Sequence, residues 1–345
     1  MAGNRRRNFA GALLLALALA GAVWPTEAPT PPPQAPPPAP ASPPAPTGRR
    51  GIYLTSYALT RPGFLEETLA ALSRHGLDTL VINVKNMHGE VCYPTRVQLA
   101  HAAGAVHPRL DVPAILAAAH RAGAYVVARQ VVFYDPALAG HLGSSVHPWV
   151  LPTQPQAVAY NLELAAELES LGFDEIQFDY IRFPDDGPIG GDYSHRCAAV
   201  EAFLAQARER LSLPISADVF GRVLWPWNAN RSDPIGQHLE GMSSHVDVLS
   251  PMVYPSHYVE GELKADPYGT VRRALRHGMD RVDVPLRPFL QAFAMAIPPG
   301  MTLPQYILAQ IRACHELGTD GYLFWNPGAD YTALWEALTQ LGGPD

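Results

Sequence analysis

Two aspartates at the ends of strand-like segments are the best candidates for catalysis. Asp179 ends the segment E-I-Q-F-D, in which Ile176 and Phe178 alternate with Gln177 and Asp179. In a barrel strand, this alternation places the apolar side chains toward the helices and the polar ones toward the interior and mouth. A strand interior disfavours aspartate unless the residue has a specific role. The pattern therefore favours Asp179 as a catalytic carboxylate, and a structural aspartate that caps a loop is the alternative.

Asp218 lies near the end of the next strand-like segment, Ile215–Phe220. Neighbouring strands lie about 4.8 Å apart, which allows the Asp179 and Asp218 carboxyls to approach within several ångströms. Such a pair can combine a proton donor with a base or nucleophile, provided that burial or the neighbouring charge raises the donor's pKa. If Asp179 is the nucleophile or base, we predict Asp218 as the proton donor; the sequence alone does not assign the two roles. The alternative is an aspartate held by an arginine such as Arg182, or by backbone amides.

The elements that position these residues alternate between strand-like and helical segments from residue 51 onward. The predicted strands are Ile52–Tyr57, Thr79–Lys85, Tyr125–Phe133, Glu175–Phe183, Ile215–Phe220, Val248–Tyr254, Pro288–Phe293 and Gly321–Trp325. The predicted helices are Pro62–His75, Val112–Ala122, Gln156–Leu171, His195–Leu211, Ile235–His245, Tyr268–His277, Pro304–Leu317 and Tyr331–Leu341. Eight β–α units predict an α/β protein with a single closed (β/α)₈ TIM barrel. A doubly wound open sheet is the alternative, disfavoured because no Gly-x-Gly-x-x-Gly or Walker-type loop follows a strand.

The first 47 residues predict export. Three arginines, Arg5–Arg7, precede an apolar run from Phe9 to Trp24, which is typical of a secretory signal over residues 1–24. Residues 25–47 are rich in proline and predict an extended linker. We therefore expect a secreted, periplasmic or envelope-associated protein whose barrel occupies residues 48–345. Membrane contact is expected only if the signal remains as an uncleaved anchor.

Composition and missing motifs argue against several classes of protein. A formal net charge of −7 disfavours a general nucleic-acid binder. Cys92, Cys197 and Cys314 are too far apart in sequence for a cysteine zinc site or a disulfide scaffold. The sequence contains neither H-E-x-x-H nor G-x-S-x-G, which disfavours a metal-dependent deacetylase and a serine esterase. We expect neither a metal nor a cofactor.

Six segments carry a family resemblance: RGIYLTSY (50–57), LVINVKNMHGEVCYP (80–94), GFDEIQFDYIRFPDDG (172–187), ISADVFG (215–221), DVLSPMVYPSHY (247–258) and GYLFWNP (321–327). Together they resemble a bacterial domain family of unknown function that is grouped with the glycoside hydrolases and has an α-amylase-like barrel. The similarity covers nearly everything after the proline-rich segment. One departure is Asn83, where the family pattern has an aspartate in a motif resembling D-V-K. An amide there cannot serve as an acid or a base.

The resemblance implies a polysaccharide or oligosaccharide substrate, so residues at strand ends become candidates for sugar binding. Lys85 can hydrogen-bond hydroxyl groups, with a structural ion pair as the alternative. Indole faces stack on sugar rings, although buried packing is the competing interpretation for each tryptophan. The predicted substrate-binding residues, all at strand ends or in the following loops, are Tyr57, Lys85, Arg182, Trp225, Tyr254, His257, Trp325 and Asn326.

Two functional hypotheses follow. The first is an exported glycoside hydrolase that cleaves a polysaccharide with Asp179 and Asp218. The second is a non-catalytic carbohydrate-binding barrel, which Asn83 favours. If the protein is an enzyme, the carboxyl separation indicates its stereochemistry: about 5–5.5 Å for retention and roughly 6.5–9.5 Å for inversion.

Overall fold

Eight parallel strands form a closed barrel in the computed structural model, which describes residues 47–185 and 192–342. The strands are β1 (Arg50–Leu54), β2 (Thr79–Lys85), β3 (Tyr125–Val131), β4 (Glu175–Asp179), β5 (Ile215–Phe220), β6 (Val248–Met252), β7 (Phe289–Gln291) and β8 (Tyr322–Trp325). Each pairs in parallel with the next, and β8 pairs with β1. The predicted TIM barrel is confirmed. The predicted signal (1–24) and the predicted linker (25–47), except for residue 47, lie outside the described residues.

Helices connect the strands around the outside of the barrel. Within the described residues they are α1 (Phe64–Arg74), α2 (Gln98–Ala102), α3 (Val112–Arg121), α4 (Pro136–Leu142), α5 (Pro155–Leu171), α6 (Tyr193–Arg210), α7 (Leu239–Ser243), α8 (Gly261–Ala265), α9 (Pro267–Met279), α10 (Leu303–Leu317) and α11 (Thr332–Gln340). Oxygen atoms of polar side chains cap the first turn of five of them, which are α3, α4, α6, α9 and α10. No helix in the described residues is long and apolar enough to cross a membrane.

Several elements are shorter than predicted. Strand β4 ends at Asp179 rather than Phe183, because Tyr180 adopts a φ of +54°, a left-handed conformation that a strand cannot continue. The predicted helix Ile235–His245 is reduced to α7, which follows a turn at Gly236 with φ +77°. The early end of β4 matters for the site, because it makes Asp179 the last residue of its strand.

An irregularity in β2 sets the direction of its last side chains. Asn83 pairs with Arg129 of β3, but Lys85 rather than Val84 pairs with the next residue of β3, Gln130. The extra residue in β2 breaks the alternation of side chains between the two faces of the strand. Asn83 therefore points into the barrel with Arg129, whereas Lys85 points outward with Gln130 toward α5.

The interior of the barrel has an apolar part and a polar part. The apolar part is a cluster separate from the core between the strands and the helices, and it includes Tyr53, Val81, Val127, Phe289 and Leu323. The polar part follows β4, where Glu175, Gln177 and Asp179 face inward to bond Arg287, Ser250 and Arg129 respectively. Polar side chains thus rise along one side of the interior to the C-terminal ends of the strands.

Candidate active site

A cavity of about 340 Å³ lies at the C-terminal ends of the strands. It is lined by Arg129, Asp179, Tyr180, Asp218, Phe220, Gly221, Arg222, Met252, Tyr254, His257, Tyr258, Phe289 and Trp325. TIM barrels carry their active sites at this face. Both predicted catalytic residues, Asp179 and Asp218, are therefore in one cavity.

Asp179 is buried at the end of β4 and is held through both carboxylate oxygens. Its Oδ1 accepts a hydrogen bond from the backbone N–H of Tyr180 at 2.6 Å. Its Oδ2 accepts a charge-assisted hydrogen bond from Nη2 of Arg129. The left-handed backbone at Tyr180 directs that N–H back onto the carboxylate. These two donors fix the orientation of the Asp179 side chain in the cavity.

Asp218, on the neighbouring strand β5, is also buried, and it follows Ala217, which pairs with Phe178 just before Asp179, so the two aspartates lie at adjoining positions of paired strands. Its Oδ2 lies 3.7 Å from Nε of Arg129, and its Oδ1 receives no hydrogen bond. Burial, and then the negative charge of Asp179, raise the pKa of Asp218 well above its usual range. The raised pKa favours the protonated form of Asp218.

Arg129 is the residue that organises this pair, and the sequence analysis did not assign it to the site. It projects inward from β3, where Nη1 donates to Asn83 Oδ1 at 2.8 Å and the other nitrogens face Asp179 and Asp218. Its guanidinium lies 5.2 Å from the ring centre of Tyr53. The available signal was an arginine inside the apolar segment Y-V-V-A-R-Q-V, since a buried charge needs a buried partner.

The wall opposite this charged group is aromatic. Tyr254 stacks on Trp325, with ring centres 5.6 Å apart and an angle of 26° between the rings. Phe293 packs edge-on against both. Burial and the negative charges of Asp218 and Asp179 raise the pKa of Tyr254, so its hydroxyl stays protonated. Burial lowers the pKa of His257, which also lines the cavity, and keeps its ring neutral.

Arg222 forms the polar rim of the cavity beside Phe220. Its Nε donates to buried Asp233 at 3.0 Å, and Nη2 contacts both Asp233 and the exposed Asp185. Two carboxylates therefore neutralise Arg222. Its fixed guanidinium leaves the rim without an uncompensated positive charge for an anionic ligand.

The structure places Lys85 outside the cavity, which corrects its prediction as a sugar-binding residue. Its Nζ lies 2.7 Å from Asp135 Oδ2 and donates to the backbone carbonyl of Val131 at 2.7 Å, with both charged side chains fully buried. The physical reason is the irregularity in β2, which turns Lys85 toward α5. The ion pair given above as the alternative is the arrangement found.

Arg182 also lies outside the cavity lining, because the left-handed turn at Tyr180 carries the chain away after Asp179. Its guanidinium packs over the rings of Trp149 and Phe220 and donates to the carbonyl oxygen of Phe183 at 3.0 Å. The arginine that holds Asp218 is Arg129, so the alternative that named Arg182 is wrong in its choice of residue.

Three other predicted sugar-binding residues are not in the cavity lining. Tyr57 is exposed on the β1 loop, with Arg109 packed on its ring. Trp225 packs between Tyr258 and His277. The Asn326 side chain is occupied by backbone contacts. Its Nδ2 donates to the carbonyl oxygen of Ala292 at 2.8 Å, and its Oδ1 accepts from the backbone N–H of Gly328 at 2.9 Å. Tyr254, His257 and Trp325 are the members of the predicted set that line the cavity.

The described residues contain no group of three or more histidine, cysteine, aspartate or glutamate side chains arranged to hold a metal ion. The polar side chains that line the cavity are two aspartates, two arginines, one histidine and three tyrosines.

The fold and the cavity define a class, the (β/α)₈ barrels that carry catalytic groups at their C-terminal face. A family model described as "Putative glycosyl hydrolase domain" matches residues 51–331, which is most of the chain. The chain therefore belongs to this family of glycoside hydrolase-like enzymes. The resemblance found in the six sequence segments is confirmed.

Solved structures similar to this chain are also TIM-barrel glycoside hydrolases. The PgaB (BpsB) glycoside hydrolase domain from Bordetella bronchiseptica has a TM-score of 0.63 at 15% identity, covering 84% of this chain and 98% of that chain. A class V chitinase from Pseudomonas fluorescens has a TM-score of 0.55 at 13% identity, with coverages of 84% and 98%. The endo-1,4-β-D-mannanase from Thermotoga petrophila has a TM-score of 0.56 at 11% identity, with coverages of 80% and 87%. These identities support the shared fold alone. No curated protein matches the chain significantly.

Proposed function

We propose that this protein hydrolyses glycosidic bonds of a polysaccharide, with Asp218 as the proton donor and Asp179 as its ionised partner. The observation that carries the proposal is the carboxyl pair in the cavity, where one arginine faces two acids. A glycosidic oxygen leaves readily only when it is protonated, and a carboxyl with a raised pKa such as Asp218 can supply that proton.

Asp179 and Arg129 have supporting electrostatic roles. The sugar centre becomes positively charged in the transition state, and the carboxylate of Asp179 is held in place to stabilise that charge without reorganisation. Arg129 holds the Asp179 carboxylate in place through Nη2, whereas burial and the charge of Asp179 raise the pKa of Asp218. After Asp218 has lost its proton, its carboxylate can accept one from the attacking water.

The aromatic wall supplies the binding surface for the substrate. Tyr254 and Trp325 offer faces and edges against which the apolar side of a sugar ring packs, and His257 offers a neutral ring nitrogen for a hydroxyl group. A chitinase and a mannanase among the similar structures support a polysaccharide as the substrate class. The features of residues 1–24 support export to where such polymers occur.

Turnover of a polysaccharide panel by the full chain tests this proposal. Asp179→Asn and Asp218→Asn should each lower kcat by roughly 10²–10⁴-fold, the usual contribution of a positioned acid or base. Glu316→Gln is the matched control, because Glu316 is an exposed carboxylate on α10 that pairs with Arg272. Full turnover in either aspartate variant rejects the assignment of these carboxyls.

The alternative, a non-catalytic carbohydrate-binding barrel, rests on Asn83. Here the Asn83 amide accepts a hydrogen bond from Arg129 instead of providing a third carboxyl. A wild-type chain that binds glycans in the panel but cleaves none of them, measured by new reducing ends, supports this alternative.

A further inference from the structure

Tyr180 combines a costly backbone conformation with a side chain in the cavity. Its φ is +54°, in the left-handed region that bulky residues rarely adopt. Its N–H donates to Asp179 Oδ1 at 2.6 Å, and its ring belongs to the cavity lining. A glycine would form the same turn and the same N–H contact at a lower cost, because it has no Cβ. Such costs persist mostly where function requires them, and here the side chain is the feature that glycine lacks.

The Tyr180 ring is held in place by an aromatic group on the β3 and β4 side of the barrel. Its centre lies 5.4 Å from the ring centre of Tyr134 and 6.0 Å from that of Trp149, and these two rings pack edge-on at 4.9 Å. The guanidinium of Arg182 lies 5.4 Å from the Tyr180 ring and 4.5 Å from the Trp149 ring. Tyr180 is the member of this group that lines the cavity. Its neighbours therefore fix a ring that a ligand can reach.

A second aromatic group lines the cavity from the other side of the barrel. Tyr254 and Trp325 stack with ring centres 5.6 Å apart, and both belong to the lining. Trp325 ends β8, whereas Tyr180 directly follows β4. In a closed barrel whose eight strands follow chain order, β4 and β8 are four strands apart in either direction, so they lie across the barrel from each other. The cavity therefore extends from one aromatic group to the other.

We propose that Tyr180 is a sugar-binding residue, and that the cavity holds at least two consecutive units of a glycan, one against Tyr180 and another against Tyr254 and Trp325. This inference rests on the proposed function and adds the direction in which the chain lies. Aromatic rings pack against the apolar faces of sugar rings. A chain bound to both groups crosses the C-terminal end of the barrel, where Asp179 and Asp218 also line the cavity. The site thus recognises an oligosaccharide segment rather than a single sugar unit.

The competing role for Tyr180 is packing alone, and Tyr134 provides a matched control for it. Tyr134 packs with Tyr180 and Trp149 in the same group but is not part of the cavity lining. If the rings of this group only pack, loss of either tyrosine ring should lower stability and leave sugar binding unchanged. If Tyr180 binds sugar, loss of its ring should weaken binding, whereas Tyr134→Ala should not.

Oligosaccharide binding by the full-length chain tests the inference, with Asp218→Asn as the background that blocks turnover. The probes are cello-, manno-, xylo- and chito-oligosaccharides of one to six units, titrated by calorimetry. For oligomers of three or more units, Tyr180→Gly and Trp325→Ala should each raise Kd by roughly 3–10-fold. The two effects should multiply in the double variant, because separated sites act independently. For a single sugar unit, at most one of the two variants should weaken binding.

Stability measurements separate the cost of the backbone from the loss of packing. Tyr180→Ala and Tyr180→Gly lose the same ring, but glycine alone relieves the left-handed backbone. Tyr180→Gly should therefore unfold at a higher urea concentration than Tyr180→Ala, the reverse of the usual order for these two residues. The usual order would overturn the argument that the fold bears a conformational cost for the Tyr180 ring.

The outcomes separate this inference from the proposed function. If Tyr180→Gly leaves Kd unchanged, or if Tyr134→Ala raises it equally, the inference is wrong and the glycosidase assignment stands. If both ring variants weaken binding but the wild-type chain cleaves none of these glycans, the inference is supported and the proposed catalysis is rejected. Binding of no oligosaccharide by a chain shown to be folded rejects both.

Discussion

Two buried charge clusters near the C-terminal ends of the strands differ in how their charges balance. Outside the barrel wall, Lys85 faces the single carboxylate of Asp135. Inside, Arg129 faces two carboxyls, those of Asp179 and Asp218. The first cluster is neutral with both groups ionised. The second is neutral only if one carboxyl keeps a proton, and this is the cluster that a cavity reaches.

The contrast shows why a buried ion pair is by itself poor evidence for a catalytic site. A third cluster, Arg287 with Glu175, is again one cation with one carboxylate, and it lies fully buried at the N-terminal end of the barrel interior. Balanced pairs stabilise particular backbone arrangements, whereas the unbalanced one includes a carboxyl with a raised pKa in the cavity. Among these three clusters, only the one in the cavity has more carboxyls than cations.

Breaking the Lys85–Asp135 ion pair should have the largest effect on the free energy of unfolding. Lys85→Met leaves Asp135 buried without a cation, and removing one partner of a buried pair typically costs about 3–5 kcal/mol in the free energy of unfolding. Urea denaturation measures that loss. The double variant Lys85→Met/Asp135→Asn removes both charges and should recover most of it, while turnover by the folded fraction stays unchanged. An undiminished free energy of unfolding in the single variant contradicts a structural role.

Removing the Asp218 carboxyl from the Arg129 cluster should instead change how the free energy of unfolding depends on pH. An unfolded aspartate has a pKa of about 3.9, and the folded pKa of Asp218 is raised. Between these two values the folded state holds a proton that the unfolded chain has lost, so the free energy of unfolding falls as the pH rises. Asp218→Asn should abolish this fall, which reaches about 1.4 kcal/mol per pH unit.

Denaturation midpoints of wild type, Asp218→Asn and Glu316→Gln across this pH range provide the measurement. Glu316 is exposed, and its pKa is lowered rather than raised, so its loss cannot reproduce the effect. If wild type and Asp218→Asn lose stability with pH in the same way, the pKa of Asp218 is not raised in the folded state. In turnover, the same protonated carboxyl should make activity fall as the pH rises through the pKa of the pair.

The sequence was sufficient for the fold and for locating the two aspartates at one end of the barrel, because both depend on local alternation. Repeated β–α units give the barrel, and the E-I-Q-F-D pattern places Asp179 on its inner face. The direction of Lys85 depends on one extra residue in β2, which alternation in the sequence does not reveal. Arg129 was missed because its importance lies in contacts with residues 50 and 89 positions away.

A third carboxyl beside Arg129 should change the pH dependence of activity, by less than the loss of Asp218 changes the pH dependence of stability. In Asn83→Asp, a new negative charge would replace the amide that lies 2.8 Å from Nη1 of Arg129. The added charge should raise the pKa of Asp218 further and move the alkaline limb of the kcat/KM profile to higher pH. Asn83→Ala, which removes the acceptor without adding charge, is the control and should not move that limb upward. An alkaline limb that stays in place in Asn83→Asp shows that Asn83 is not coupled to the pair.

The smallest change in activity is expected at the aromatic wall. Of the two tryptophans that the sequence predicts as sugar-binding, only one lines the cavity. Trp325 lines the cavity and stacks with Tyr254, whereas Trp225 is absent from the lining and packs against His277 and Tyr258. Trp325→Ala should raise KM by roughly 3–10-fold, since an aromatic contact contributes about 0.5–1.5 kcal/mol. Its kcat should change less, because the ring acts on the bound sugar and not on the proton of Asp218. Trp225→Ala should leave KM near the wild-type value. A larger rise in KM for Trp225→Ala than for Trp325→Ala would place the sugar on the outer loop rather than against the carboxyl pair.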